Sequence, residues 1–208
     1  MKHILSLFTF FILSFFTIIS FAQDDVMAQA MASFKDIKSV EANVVRTVHN
    51  VMIEKDAKSN GKFYFKKPNK MVLSFDEGKD KLIMDGETFA MVKDGKKNTA
   101  DGKGNDQLKS LTTFFKSLSE GEESDVELSD IADVDATKKG NLMIVTVTPI
   151  VADAKAKRRQ MFTSFVITVD QKAGALKSIR MNEKGQNYTN YDFSNFVMNG
   201  SIDDKVFK

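Results

Sequence analysis

The sequence contains no cysteine. That one absence removes a disulfide scaffold, a thiolate nucleophile, a cysteine-ligated metal centre and acylation of an N-terminal cysteine. Tryptophan is also missing, and only two prolines and two histidines occur. His3 and His49 are too few and too far apart for a histidine-cluster metal site. Nor is charge of one sign in excess: 30 Lys and Arg stand against 28 Asp and Glu, a formal net charge of +2. Such balance excludes a dedicated nucleic-acid binder that works by neutralising phosphates. What the 208 residues do hold is apolar material for one domain with a sizeable core, at 42% hydrophobic and 28% charged. Eighteen Phe and eleven Met stand out within it.

Six of the Phe fall before position 22. Lys2-His3 is a short basic start, Ile4 to Phe21 is apolar, and Ser20-Phe21-Ala22 places small residues where a signal peptidase cuts. Residues 1–22 are therefore expected to be a cleaved signal peptide, and residues 23–208 one exported, non-lipidated domain in the periplasm.

Beyond the cleavage point the hydrophobic period defines the elements. Val26, Met27, Ala30, Met31, Phe34 and Ile37 predict an amphipathic helix over about 24–38. From Val40 the period becomes two, with Val40, Ala42, Val44 and Val48 on one face, where Arg46 is an odd member. Phe63 and Phe65, then Met71, Leu73 and Phe75, then Leu82 to Met84 and Phe89 to Val92 read as short strands, separated by Pro68-Asn69, Glu77-Gly78 and Asp85-Gly86. Asp94-Gly95 ends this meander, and Lys96 to Asp106 is expected to be a loop. Leu108, Leu111, Phe115 and Leu118 share one face of a helix ending near Gly121. After an acidic connector, Glu122 to Asp130, strands resume over 142–148, 161–169, 176–181 and 186–197, with a charged protrusion at 152–160. Asn199-Gly200-Ser201 is expected to cap a terminal turn. The fold class predicted is α+β: a single, strongly curved antiparallel sheet of about ten strands, forming an incomplete β-barrel closed by lid helices.

The inward strand positions Phe63, Phe65, Met71, Leu73, Phe75, Phe89 and Met91 face Met31, Phe34, Phe115 and Leu118 of the two helices. Such a set is either ordinary core or the lining of an under-filled cavity. Ten of the eleven Met lie beyond position 22, and methionine adapts to variable apolar guests, which favours the cavity. Arg46 needs a partner, a carbonyl or an acid such as Asp85, or must reach the rim. Little else carries chemistry. His49 is a strand-surface residue, the Asp-Gly pairs are turns, and Gly102-Lys103-Gly104 lacks the spacing of a phosphate cradle. Lys155, Lys157, Arg158 and Arg159 form a basic run without aromatic interleaving: a solvated face, or a contact for a partner protein or anionic headgroup. No cofactor, metal or catalytic residue is expected, and the chain is read as a monomeric binder, not an enzyme.

The order of segments resembles that of the periplasmic lipoprotein carrier family, the LolA-like proteins. Gly61-Lys62-Phe63-Tyr64-Phe65-Lys66-Lys67-Pro68-Asn69 is similar to that family's G-x-Φ-x-Φ-K-R-P-N strand, where Φ is apolar. Asp85-Gly86-Glu87-Thr88-Phe89 matches its next hairpin, Val147-Thr148-Pro149 its L-T-P segment, and Phe165 to Asp170 its long late strand. The resemblance implies an open barrel with a helical lid over an apolar cavity. It implies a carrier taking acylated lipoproteins from an inner-membrane ABC exporter to the outer membrane and a receptor there. Where the family has a lid-binding Arg this chain has Lys67, with Arg46 as a possible substitute, so Lys67 and Arg46 are the polar gate candidates. Two other functions fit the same residues: an envelope sensor of mislocalised lipoproteins, or a carrier of free lipid or glycolipid.

Overall fold

The computed structural model describes residues 28–29, 32, 34–86, 88–101, 106–120, 128–151 and 153–208. Eleven strands form one antiparallel sheet: β1 (Ser39–His49), β2 (Ala57–Lys66), β3 (Lys70–Phe75), β4 (Asp80–Asp85), β5 (Thr88–Lys93), β6 (Lys96–Asp101), β7 (Ala132–Lys139), β8 (Leu142–Pro149), β9 (Phe162–Asp170), β10 (Ala175–Glu183) and β11 (Tyr188–Met198). Their spatial order is β6-β5-β4-β3-β2-β1-β11-β10-β9-β8-β7. The first and last strands pair in the middle, and the two edges, β6 and β7, stay unpaired, so the barrel is not closed. Both edges are charged or polar, which blunts further pairing. Beside the N-terminal helical residues, three α-helices have both ends among the described residues: α1 (Asp106–Glu120), α2 (Leu128–Ile131) and α3 (Ala154–Arg159).

The sheet must curl, because apolar residues from β1 to β5, β7 to β11 and α1 belong to one buried cluster. Flat strands spaced about 4.8 Å apart could not bring Phe89 of β5 and Ala132 of β7 into a common core. Helix α1 lies in the connection between the two edge strands and packs against β8, presenting Leu108, Leu111, Phe114 and Phe115 to the concave face. A smaller cluster of Val72, Ile83, Ala90 and Phe207 covers the convex face of β3–β5. The terminal 3₁₀ turn Asp204–Phe207 thus packs on the back of the sheet, held also by Lys66 Nζ donating to Asp204 Oδ1 at 2.7 Å.

Four expectations are corrected. The segment from Lys96 is not a loop: Asp94 and Gly95, both at positive φ, make the hairpin that lays polar β6 along β5. A strand precedes Leu142, because Ala132, Val134 and Ala136 alternate with polar residues on β7; two of the three are too small to stand out as a strand face. The strand count is accordingly eleven. The terminal turn is capped by Asp203, which accepts from the Lys205 N–H, and not by Asn199 to Ser201. Of the N-terminal helix, residues 28, 29, 32 and 34 are helical and a turn at 35–36 ends it before β1. Met27, Met31 and residues 1–22 lie outside the described residues, as does the side chain of Leu118.

Gly61 is required where it stands. A Cβ there would meet the Ser74 carbonyl and lie 2.5–2.7 Å from the Phe75 ring. Gly61→Ala is therefore expected to cost about 1–3 kcal/mol by overpacking, read as a lower urea midpoint. An unchanged midpoint would mean that β2 and β3 part enough to free the methyl from both the Ser74 carbonyl and the Phe75 ring.

Candidate functional site

Strand register sorts the concave face into rows. Val40, Phe65, Met71, Met84 and Phe89 are successive cross-strand partners from β1 to β5, and Ala42, Phe63, Leu73, Leu82 and Met91 form the next row. A third holds Val44, Gly61, Phe75 and Asp80, and beyond it Arg46 pairs with Ser59. The face thus grades from apolar near the start of β1 to polar near its end.

A cavity of about 40 Å³ lies at the apolar end, lined by Phe34, Val40, Phe63, Phe65, Lys67, Met71, Phe115 and Leu176. By that measure it has room for only about three waters. Phe34, from the N-terminal helix, and Phe115, from α1, face the sheet residues across it. Phe65 and Phe34 are only partly buried, so the cavity reaches the surface between them. An acyl chain does not fit this volume unless a wall moves.

The N-terminal helix forms one wall through Phe34, and the turn and linker that follow it are held by polar contacts. Lys67 Nζ donates to the Lys35 carbonyl at 2.8 Å, and the Lys67 N–H donates to the Lys38 carbonyl at 2.9 Å. Asn199, at positive φ, accepts from the Lys38 N–H at 2.7 Å and donates from Nδ2 to the Asp36 carbonyl at 3.3 Å. Further along the helix, Lys138 Nζ donates to Gln29 Oε1 at 3.1 Å. Ile37 is the apolar residue of this linker sunk into the core. Lys67→Met keeps the side-chain length and removes the contact with Lys35. Hydrogen exchange over residues 28–38 is expected to speed up by as much as about tenfold, with the sheet unchanged; unchanged exchange would show that Lys67 does not hold the helix.

Arg46 is not part of this arrangement. Seven residues along β1 from Ser39, it sits about 23 Å from the Lys67 end. Its Nε donates to Ser59 Oγ at 2.9 Å, its guanidinium lies 4.3 Å from the Phe75 ring centre, and its acid is Asp80 at 3.5 Å, not Asp85. The cluster seals the far end of the concave face, where burial raises the Tyr191 phenol above its usual range. The Asp94 N–H holds the Asp80 carboxyl below its ordinary value, burial works against it, and Lys93 and Arg46 add to the lowering. A depressed folded-state value means that Asp80 stabilises the fold above the unfolded carboxylate value of 3.8 and that this contribution is lost as the pH falls below it. The melting temperature of Asp80→Asn should lie below that of the parent at neutral pH, and the gap should close through acid titration; a constant gap would contradict the assignment.

Of the residues singled out in the sequence, the structure brings Phe34, Phe63, Phe65, Met71, Phe115 and Lys67 to the cavity. Leu73, Phe75 and Phe89 are packed deeper in the same core. Met91 lies on the same face but is 48% exposed, near the β6 edge. The cavity also contains two residues not singled out. Val40 could have been found, since it opens the period-two pattern of β1; Leu176 could not, because it arrives from the other half of the sheet.

The family of outer membrane lipoprotein carrier proteins, LolA, matches residues 35–208. The chain belongs to this family. The LolA-like family comprises exported binding and carrier proteins, with a lipid- or lipoprotein-binding fold, and not enzymes. No curated protein matches the chain in sequence. Among solved structures, a LolA superfamily protein from Nitrosomonas europaea is similar at 12% identity and a TM-score of 0.43, over 89% of this chain and 97% of that one. MucB of Pseudomonas aeruginosa, solved with MucA, is similar at 12% identity and a TM-score of 0.44, over 88% of this chain and 59% of that one. The Mycobacterium tuberculosis lipoprotein LppX is similar at 12% identity and a TM-score of 0.37, over 86% and 98%.

Proposed function

We propose that this protein carries the acyl moiety of lipoproteins through the periplasm, taking it from an inner-membrane ABC exporter toward the outer membrane. On this reading residues 1–22 are a signal peptide removed on export, and residues 23–208 are the carrier. The observation that supports it is the cavity lined by four phenylalanines and Met71, beneath a helix whose following turn and linker are held by Lys67 and Asn199. At about 0.8 kcal/mol per buried CH₂, several acyl chains in water carry tens of kcal/mol, so cargo does not diffuse free. A carrier must offset most of that cost and still release. A small resting cavity that grows when the N-terminal helix lifts does both, because the helix recovers its polar contacts and core position on release.

The test is to incubate the processed protein with spheroplasts that retain newly acylated lipoproteins, then to assay the soluble fraction. A stoichiometric complex of the carrier with a lipoprotein is the expected result. Lipid without protein in the purified carrier, or no complex while the exporter is active, would overturn the lipoprotein assignment.

A further inference from the structure

Among the described residues, the most exposed large apolar side chain lies at the end of the sheet away from the cavity. Met52, in the connection between β1 and β2, is 89% exposed, and Val51 and Ile53 beside it are at least half exposed. Hairpin tips are ordinarily polar, so three consecutive apolar residues need a reason. The tip is braced to present them. The Val51 N–H donates to Asn187 Oδ1 at 3.0 Å, the Met52 N–H to Asn50 Oδ1 at 2.9 Å and the Ile53 N–H to the Asn50 carbonyl at 2.8 Å.

Asn187 lies in the turn between β10 and β11, and that turn ties the tip to α3. Lys184 Nζ donates to the carbonyls of Lys157 and Arg158 at 2.8 and 2.7 Å. Helix α3 is capped by Asp153, which accepts from the Ala156 N–H, and it leaves Lys155, Lys157, Arg158 and Arg159 exposed. Half-exposed Ile150 and Met161 flank it on either side. Residues 50–58, 153–161 and 183–187 together hold seven cations and four carboxylates, and one of the carboxylates, Asp56, is taken by His49 at 2.7 Å. The positive excess lies on α3 and the β10–β11 turn, where five cations stand against two carboxylates, while residues 50–58 around Met52 are balanced at two against two.

The geometry points to a docking surface for anionic phospholipid membranes at this end of the sheet. Met52 and its neighbours enter the interface between headgroups, and the cations of α3 and the two turns lie against phosphates. An exposed apolar tip beside a cationic helix matches a charged, deformable surface better than a preformed protein groove. Docked this way, the protein keeps its cavity, near the other end of β1, clear of the bilayer. The surface stands independently of the cargo reading, since none of its residues lines the cavity.

Flotation with protein-free vesicles tests it, using residues 23–208, which contain every described element. The vesicles are phosphatidylcholine alone or phosphatidylcholine with about a third phosphatidylglycerol, at low and at high salt. Binding is expected on the anionic vesicles at low salt, and to be at least about tenfold weaker on neutral vesicles or at high salt. Met52→Asp and the double variant Lys157→Glu, Arg158→Glu should each weaken it by about tenfold with unchanged thermal unfolding, because all three side chains are exposed. No binding to anionic vesicles, or binding that neither variant weakens, would overturn the assignment. So would binding to native membranes but not to vesicles of their extracted lipids, which would place a protein receptor on this surface.

Discussion

Phe114→Ala is expected to cost about 3–5 kcal/mol, about a fifth or more of the stability of an ordinary domain. Phe114 has no solvent exposure and sits edge-on to Phe115, 5.6 Å between ring centres. It is the largest fully buried side chain of α1 among the described residues, in the element that covers the concave face between two sheet edges that never meet. In a closed barrel, neighbouring strands could share the loss of one ring. Here the sheet is open, so the space left by Phe114 lies under a helix whose other buried apolar residues, among the described side chains, are Leu108, Leu111 and Phe115. The urea midpoint should fall steeply and a dye that binds exposed apolar surface should respond before global unfolding. A loss below about 1 kcal/mol would mean that α1 is not docked as described. Phe115→Ala should cost less, because Phe115 already borders a cavity and loses fewer contacts.

The sequence made the first half of the sheet readable because its signals are local. Phe63 and Phe65, and Met71, Leu73 and Phe75, alternate with polar residues, and Asp-Gly pairs mark turns between strands. Strands β6 and β7 were hidden for the same physical reason: as edges they need little apolar surface, and Lys96 to Asp101 reads as a polar loop until the backbone of β5 is beside it. The site was legible in proportion to its local content. Lys67 was tied to a lid helix only through the resemblance of Gly61 to Asn69 to the carrier family's strand, and the partners of Arg46 could not be read at all. Ser59 and Asp80 are set by strand register, 13 and 34 residues away, and no pattern around Arg46 distinguishes Asp80 from Asp85. Leu176 and Asn199 were silent, one reaching the cavity from the far half of the sheet and the other clamping a linker more than 160 residues earlier.

Phe65→Glu should abolish capture of acylated cargo while leaving the fold standing. Phe65 is partly buried, lines the cavity beside Val40 and Met71, and lies where the cavity meets solvent. A carboxylate there can turn outward in the empty protein, so the expected stability loss is modest, about 1–2 kcal/mol. With an acyl chain in place it would have to be buried against hydrocarbon, which costs several kcal/mol for an unpaired charge and removes the advantage of loading. Leu73→Glu makes the contrast. It is one row further along the same face, but only 2% exposed, with no route to water, and the same charge should unfold the protein outright. The pair therefore separates a binding wall from packed core using one substitution at two depths. A small drop in the thermal midpoint and no lipoprotein complex for Phe65→Glu, with collapse of Leu73→Glu, is the expected result. If both unfold, the apolar end of the sheet is core throughout; if Phe65→Glu still loads, cargo binds elsewhere.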